Sequence, residues 1–254
     1  MRVAIAGKGG SGKTTISATL ARLAARRGHG VVAIDADSNP NLASALGFAE
    51  GGPTIDLPHD AVSRRPDGPR LTLPLEHVLD AHSRPGPDGV RLATMGEPSH
   101  AGAGCLCSAH AVVSALLADL GERPSMLTVI DLEGTPEHLS RGTARHADLL
   151  LLVAEPYFRS LEAVRRLATL AAELDVPRIA VVANKLRRDG DAEAIAELSA
   201  RLDLSVIGGV PFSLEVLDAD AVHQPLLDVA PSSDVVVAIG ALLDEVLAEA
   251  PAPA

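Results

Sequence analysis

The chain reads as an α/β protein: a mostly parallel central sheet with helices on both faces. Three observations lead there. Short apolar runs alternate with stretches of helical periodicity along most of the 254 residues. Aromatic residues make up 2% of the chain and Trp is absent, so the core has to be Val, Ile, Leu and Ala. That is the composition of strands buried on both faces. The first apolar run also feeds through a glycine-rich loop straight into the first helical stretch, the order in which a βαβ unit starts.

The strand-like runs are 3–6, 31–34, 90–94, 127–130, 149–153, 179–183 and 206–210. Helical spacing recurs at about 13–27, 108–120, 158–174, 190–202 and 234–248. Residues 50–90 break the rhythm. They are rich in Pro, Gly and charge, and they are expected to form an irregular surface excursion of a single domain covering 1–254. The tail 250–254 is expected to fray.

Bulk properties narrow the partners. The net charge is −11, and no Lys or Arg follows Arg201. So acidic a surface is poorly suited to phosphate backbones or anionic lipid, so neither nucleic acid nor membrane is expected as a partner. The first residues are already strand-like, which leaves no signal peptide to expect. No apolar run reaches membrane-spanning length. Two cysteines do not make a disulfide framework. The expected location is the cytoplasm.

Chemistry begins at residues 7–15, Gly7-Lys8-Gly9-Gly10-Ser11-Gly12-Lys13-Thr14-Thr15. Glycines let successive backbone N–H groups turn toward one phosphate. Lys13 would reach the β- and γ-phosphates of a nucleotide, and the Thr14 hydroxyl would ligate Mg²⁺. The phosphates would then rest on the N-terminus of the first helix.

Further motifs close later strands. Asp35 and Asp37 follow the second run at i, i+2, so both carboxylates can face one pocket. Asp37 could equally be an Asx turn or helix cap before Asn41. Asp131 ends the run 127–130, where a carboxylate can hold a Mg²⁺ shell. Asn184 ends the run 179–183 and offers a donor and an acceptor together, as the edge of adenine requires. Alone, it is equally a turn residue. Cys105-Leu106-Cys107 contains both cysteines of the chain. A C-x-C pair gives two thiolates to one ion, and a twofold dimer would supply the other two. Such a set suits Zn²⁺, or Ni²⁺ in square-planar form. The alternative is two buried core cysteines. His100 and His110 are nearby reserve ligands.

The loop with its early lysine, Lys8, resembles the deviant Walker A P-loop ATPases. These include the MinD/ParA partition proteins, the nitrogenase iron protein and the nickel-insertion ATPases. The resemblance implies a P-loop fold, ATP with Mg²⁺, and a homodimer in which Lys8 crosses to the partner's nucleotide. The chain holds only three lysines, Lys8, Lys13 and Lys185, against 19 arginines, so each reads as a specific point charge. Under the same resemblance Lys8, Lys13, Asp37 and Asp131 are the catalytic set, with Asp37 orienting the attacking water. Asn184 and Lys185, then Pro211 and Phe212 of Gly209-Val210-Pro211-Phe212, hold the base. Stretches around Asp131–Ala144, Glu155-Pro156 and Met95–Cys107 are similar to the CooC nickel-insertion ATPases of carbon monoxide dehydrogenase. They imply a metal loop at Cys105 and Cys107, loaded with Ni²⁺ or Zn²⁺, and a carbon monoxide dehydrogenase-like client. One position departs: Thr135 stands where the family places its switch glycine, and Gly134 precedes it. Two rivals remain, a spatial-positioning ATPase and an iron–sulfur electron donor. The last helix, with Asp244, Glu245 and Glu249 and no cation, counts against the first. The absence of cysteine from 131–142 counts against the second.

Overall fold

A computed structural model describes residues 1–49, 56–58, 60–65, 68–96, 107–123, 125–135, 139 and 142–249. Its centre is an eight-stranded sheet of order β10-β9-β8-β1-β7-β2-β6-β5. The strands are β1 (Arg2–Gly7), β2 (Gly30–Ala36), β5 (Arg84–Pro85), β6 (Arg91–Thr94), β7 (Met126–Leu132), β8 (Leu149–Ala154), β9 (Ile179–Leu186) and β10 (Ser205–Pro211). Every pairing is parallel except the short edge pair β5–β6. All seven expected strands are present, six within a residue or two of their expected bounds and β9 three residues longer at its end.

Alternation along β1 builds two cores. Val3 and Ile5 face one layer, Ala4 and Ala6 the other. The first layer is closed by α1 (Lys13–Arg26) and the C-terminal helix Asp234–Ala248. The second is closed by α3 (Leu75–His82), α4 (Cys107–Leu120), α5 (Phe158–Glu173) and α6 (Asp189–Arg201). A short helix α2 (Leu42–Leu46) follows the second strand. Between Pro211 and the C-terminal helix lie α7 (Leu214–Ala221) and α8 (Leu226–Val229). The C-terminal helix is therefore α9.

The 50–90 region holds more order than its composition signals. A two-stranded hairpin, β3 (Val62–Arg65) with β4 (Gly68–Leu71), packs on α4. Helix α3 buries Val78 and Leu79 in the core. The hairpin strands carry Ser, Arg and Pro, because a hairpin outside the main sheet needs only one apolar face. Among the described residues no helix is long and apolar enough to cross a membrane.

Candidate functional site

Parallel strands bring their C-terminal ends to one edge of the sheet, and the loops leaving that edge form the site. The loop after β1 turns through Gly10 (φ 78°) and Gly12 (φ 94°), both in the left-handed region that favours glycine. Gly12 has no room for a side chain either, since a Cβ there would run into the Asn184 amide. Ser11 N–H donates to the Lys8 carbonyl at 3.0 Å and shapes the turn. Helix α1 then starts without any side-chain cap and without an acidic residue in its first turn. Its first N–H groups therefore face outward with the positive end of the helix dipole, which favours an anion.

Around that helix end stand the charges. Lys13 is 7% exposed and rests its ammonium 3.4 Å from the Lys8 carbonyl. Burial lowers its pKa, opposed by the carboxylates of Asp131, Asp37 and Glu133. Asp131 accepts from Thr14 Oγ1 at 2.7 Å and from Ser17 Oγ at 3.1 Å. Burial raises its carboxyl to about 6, against the pull of Thr14 and Lys13. The strand register sets Asp35 directly beside Asp131. Burial, with the Asp131 charge, raises Asp35 to about 7, against N–H donors from Leu42 and Asp37. Asp35 accepts from Leu42 N–H at 2.8 Å and Asp37 N–H at 3.2 Å. It is therefore the hinge pin of the turn that carries Asp37. Asp37 Oδ1 accepts from Asn39 N–H at 2.8 Å, so the Asx-turn alternative is realised, and the Asp37 charge still reaches Lys13.

Two adjoining cavities open along α1. The larger, of about 570 Å³, is lined by Gly10, Gly12, Lys13, Thr14 and Thr15 on the loop side and by Asn41, His223 and Gln224 opposite. The smaller is an apolar slot lined by Asn184, Pro211, Phe212 and Ile239. Gly12, Thr15, Lys185, Val216 and Leu217 border both. Loop, Asn184, Lys185, Pro211 and Phe212 thus come together as the sequence predicts. Gly7, Lys8, Gly9 and Ser11 belong to the loop but not to the cavity walls. Asn184 spends one N–H on the Ser11 carbonyl at 2.6 Å. Lys185 adopts φ 58° and reaches back to the Gly10 carbonyl. An uncapped helix end, a buried lysine, a threonine hydroxyl and a flat apolar slot fit a nucleotide. The buried Ser11 hydroxyl, which has no hydrogen-bond partner, lies in the same loop. Thr14 and Asp131 fit a Mg²⁺ shell.

Gly134 lies against the loop: a Cβ there would stand 2.6 Å from Gly9 N. The glycine contact with the loop is thus made one residue earlier than the family pattern places it, and Thr135 Oγ1 is buried without a partner. Cys105 lies outside the described residues, as do His100, Glu137 and His138. Cys107 opens α4, and of it only the backbone is described. His110, the other expected reserve ligand, is described. It is buried on α4 with Nδ1 3.2 Å from Thr143 Oγ1, because the apolar face of that helix turns it into the core. Among the described residues no group of three or more His, Cys, Asp or Glu side chains is gathered as for a metal. Ser17 was missed from sequence, although it stands one turn after Thr14 on the same helix face. Glu155 and Tyr157 gave no signal of their own as site residues, since Lys185 and Lys8, which tie them to the site, are distant in sequence.

Sheet order, loop and helix end define a P-loop nucleotide-binding ATPase. The chain belongs to the CobQ/CobB/MinD/ParA nucleotide-binding domain family, whose model matches residues 3–226. It is 35% identical to the carbon monoxide dehydrogenase accessory protein CooC of Rhodospirillum rubrum, over 91% of each chain. It is 32% identical to an uncharacterised ATP-binding protein of Methanocaldococcus jannaschii, over 89% of this chain and 91% of that one. Its fold matches the cell division ATPase MinD of Pyrococcus furiosus with TM-score 0.75, at 18% identity over 97% and 98% of the two chains. The septum site-determining protein MinD of Pyrococcus horikoshii, solved with Mg-ADP, matches at TM-score 0.74, 19% identity, and 97% and 96% coverage.

Proposed function

We propose that this ATPase is a dimeric metallochaperone of the cytoplasm that serves a carbon monoxide dehydrogenase-like nickel enzyme. The observation that carries this reading is the 35% identity to CooC over 91% of each chain, joined to a C-x-C pair whose second cysteine, Cys107, opens α4. The metal ion, Ni²⁺ or Zn²⁺, is cargo held by four thiolates, Cys105 and Cys107 from each copy.

In the nucleotide site Lys13 and the first N–H groups of α1 bind the β- and γ-phosphates. Mg²⁺, when bound, neutralises charge on those oxygens. Thr14 supplies its hydroxyl, and Asp131 orients that hydroxyl. Asp37 holds the attacking water, and Asp35 holds the turn that carries Asp37. Asn184, Lys185, Pro211 and Phe212 receive the adenine. Lys8 acts across the dimer on the partner's phosphates. ATP closes the dimer, closure changes the separation of the two cysteine loops, and hydrolysis resets them.

A metal titration of reduced protein tests the cargo site. About one divalent ion per dimer should bind, more weakly at acid pH as thiolates protonate. Substituting Cys105→Ser with Cys107→Ser should abolish that binding and the thiolate-to-Ni²⁺ absorption while ATP binding persists. Equal tight binding by both proteins sinks the chaperone reading. It would favour the second reading, a MinD/ParA-type positioning ATPase, which the shared fold supports.

A further inference from the structure

Glu155 is 8% exposed, at the first position after β8. Its carboxylate faces two partners from different parts of the site. Oε2 lies 3.0 Å from Lys185 Nζ, and Oε1 accepts from Tyr157 Oη at 3.0 Å. Lys185 in turn donates to the Gly10 carbonyl of the phosphate loop. It does so from φ 58°, a conformation that costs a non-glycine residue free energy and persists only where surroundings over-determine it. At the other end the Lys8 ammonium stands 5.9 Å from the centre of the Tyr157 ring, within cation–π range. The line Gly10, Lys185, Glu155, Tyr157, Lys8 is therefore continuous. Lys185 borders both cavities, and the far end is the lysine assigned above to the partner copy.

We propose that Glu155 is a positioning residue that couples occupancy of the base slot to the freedom of Lys8. With the slot empty, Lys185 sits on the loop, Glu155 holds Tyr157 by its hydroxyl, and the ring holds Lys8 over its own chain. A base entering the slot competes for the space around Lys185 and Phe212. Glu155 then loses its cation, Tyr157 loses its orientation, and Lys8 is released toward solvent. The ion pair is screened little because Glu155 is buried, so its loss is felt at the ring. The proposal rests on the base-site reading above. Its link to dimerisation rests on the assignment of Lys8.

Tyr157 is the only tyrosine of the chain, so the protein grown with 3-fluorotyrosine gives a single ¹⁹F resonance. Three results are expected in the full-length protein. The Lys8→Ala variant shifts the nucleotide-free resonance, because the cation over the ring is gone. Saturating ADP moves the parent resonance toward that Lys8→Ala position. In Glu155→Gln, ADP still binds by calorimetry but leaves the resonance where it was. An ADP response of equal size in the parent and in Glu155→Gln overturns the relay, and so does no response in the parent. Sedimentation is read separately: in Tyr157→Leu, which removes the ring, the ATP concentration that drives dimerisation should fall about threefold, the scale of a half-exposed cation–π contact. A parent that stays monomeric with ATP would remove the dimer reading, while the ¹⁹F result still decides the relay.

Discussion

Asp35 and Asp131 close β2 and β7 side by side at the C-terminal edge of the sheet, whereas Asp148 and Asp88 lie at the opposite edge, just ahead of β8 and β6. At the loop edge two carboxylates are buried together, and burial raises both, to about 7 and about 6. At the far edge burial is overcome by arginine. Asp148 takes Arg2 Nη2 at 2.6 Å and the Arg2 backbone N–H at 2.7 Å, and Arg2 pulls its carboxyl below the usual range. Asp88 is drawn down in the same way by Arg22 and Arg26, and Arg22 also forks onto Asp228 at 2.7 and 2.8 Å. One edge holds paired charges that fasten elements together. The other holds like charges that repel until a cation joins them. The difference is that between carboxylates neutralised by arginine and a buried like-charge pair, of which Asp35 holds a turn and Asp131 faces the ligand site, and it is bought with stability at the loop edge.

The largest effect should come from the loop edge. Lys13→Ala should lower ATP hydrolysis by about 10³-fold, the scale of losing a cation that faces the transferring phosphoryl group, with the fold intact by circular dichroism. Retained turnover would remove Lys13 from the phosphate site.

Next, Asp131→Asn should cut turnover about 10–100-fold through the displaced Thr14 hydroxyl. Its nucleotide-free stability should stay within about 1 kcal/mol of the parent, or exceed it, because a buried like-charge partner is removed. A strongly destabilised variant would place Asp131 with the structural carboxylates.

Asp148→Ala should show the reverse. Denaturant unfolding should report a loss of about 1–3 kcal/mol, since three charge-assisted hydrogen bonds go and the Arg2 backbone N–H loses its acceptor. The kcat should be unchanged. A fallen kcat at equal folded fraction would break the separation of the two edges.

The last comparison is a pH slope. Asp35 titrates at about 7 when folded and near ~3.9 when unfolded, so the folded state binds the extra proton between those values. Nucleotide-free stability should therefore gain from Asp35 as pH falls from 7 toward 4, and that gain should vanish in Asp35→Asn. Asp148 runs oppositely. Its contribution is complete above the unfolded value and is lost only as pH falls through its lowered folded value. Equal slopes for the parent and Asp35→Asn between pH 5 and 7 would refute the raised carboxyl.

Local pattern was enough for much of this. The seven expected strands, the five long helices and the phosphate loop are short-range matters: period 2, period 3.6, and glycines where φ must be positive. The placing of Asp131 at a strand end needed no more. The region 56–90 was not legible in this way. Its strands are four residues or fewer, and Pro, Arg and Ser blur their alternation. Asp35 was read as one of two cavity carboxylates, and its partners show it holding the turn instead.

By itself, then, the sequence determined the layered architecture, the anion-binding end of α1 and the residue types around it, because each is written within a window of one element. Only tertiary structure decided which carboxylates become neighbours. Asp35 meets Asp131 through the register of β2 on β7, 96 positions away by their numbers in the chain. Asn184 and Lys185 meet the loop across separations of 173 and 175 residues, and Glu155 meets Lys185 across two neighbouring strands. Such pairings depend on strand order and register. These follow from how whole faces bury against one another, and no local spacing encodes them.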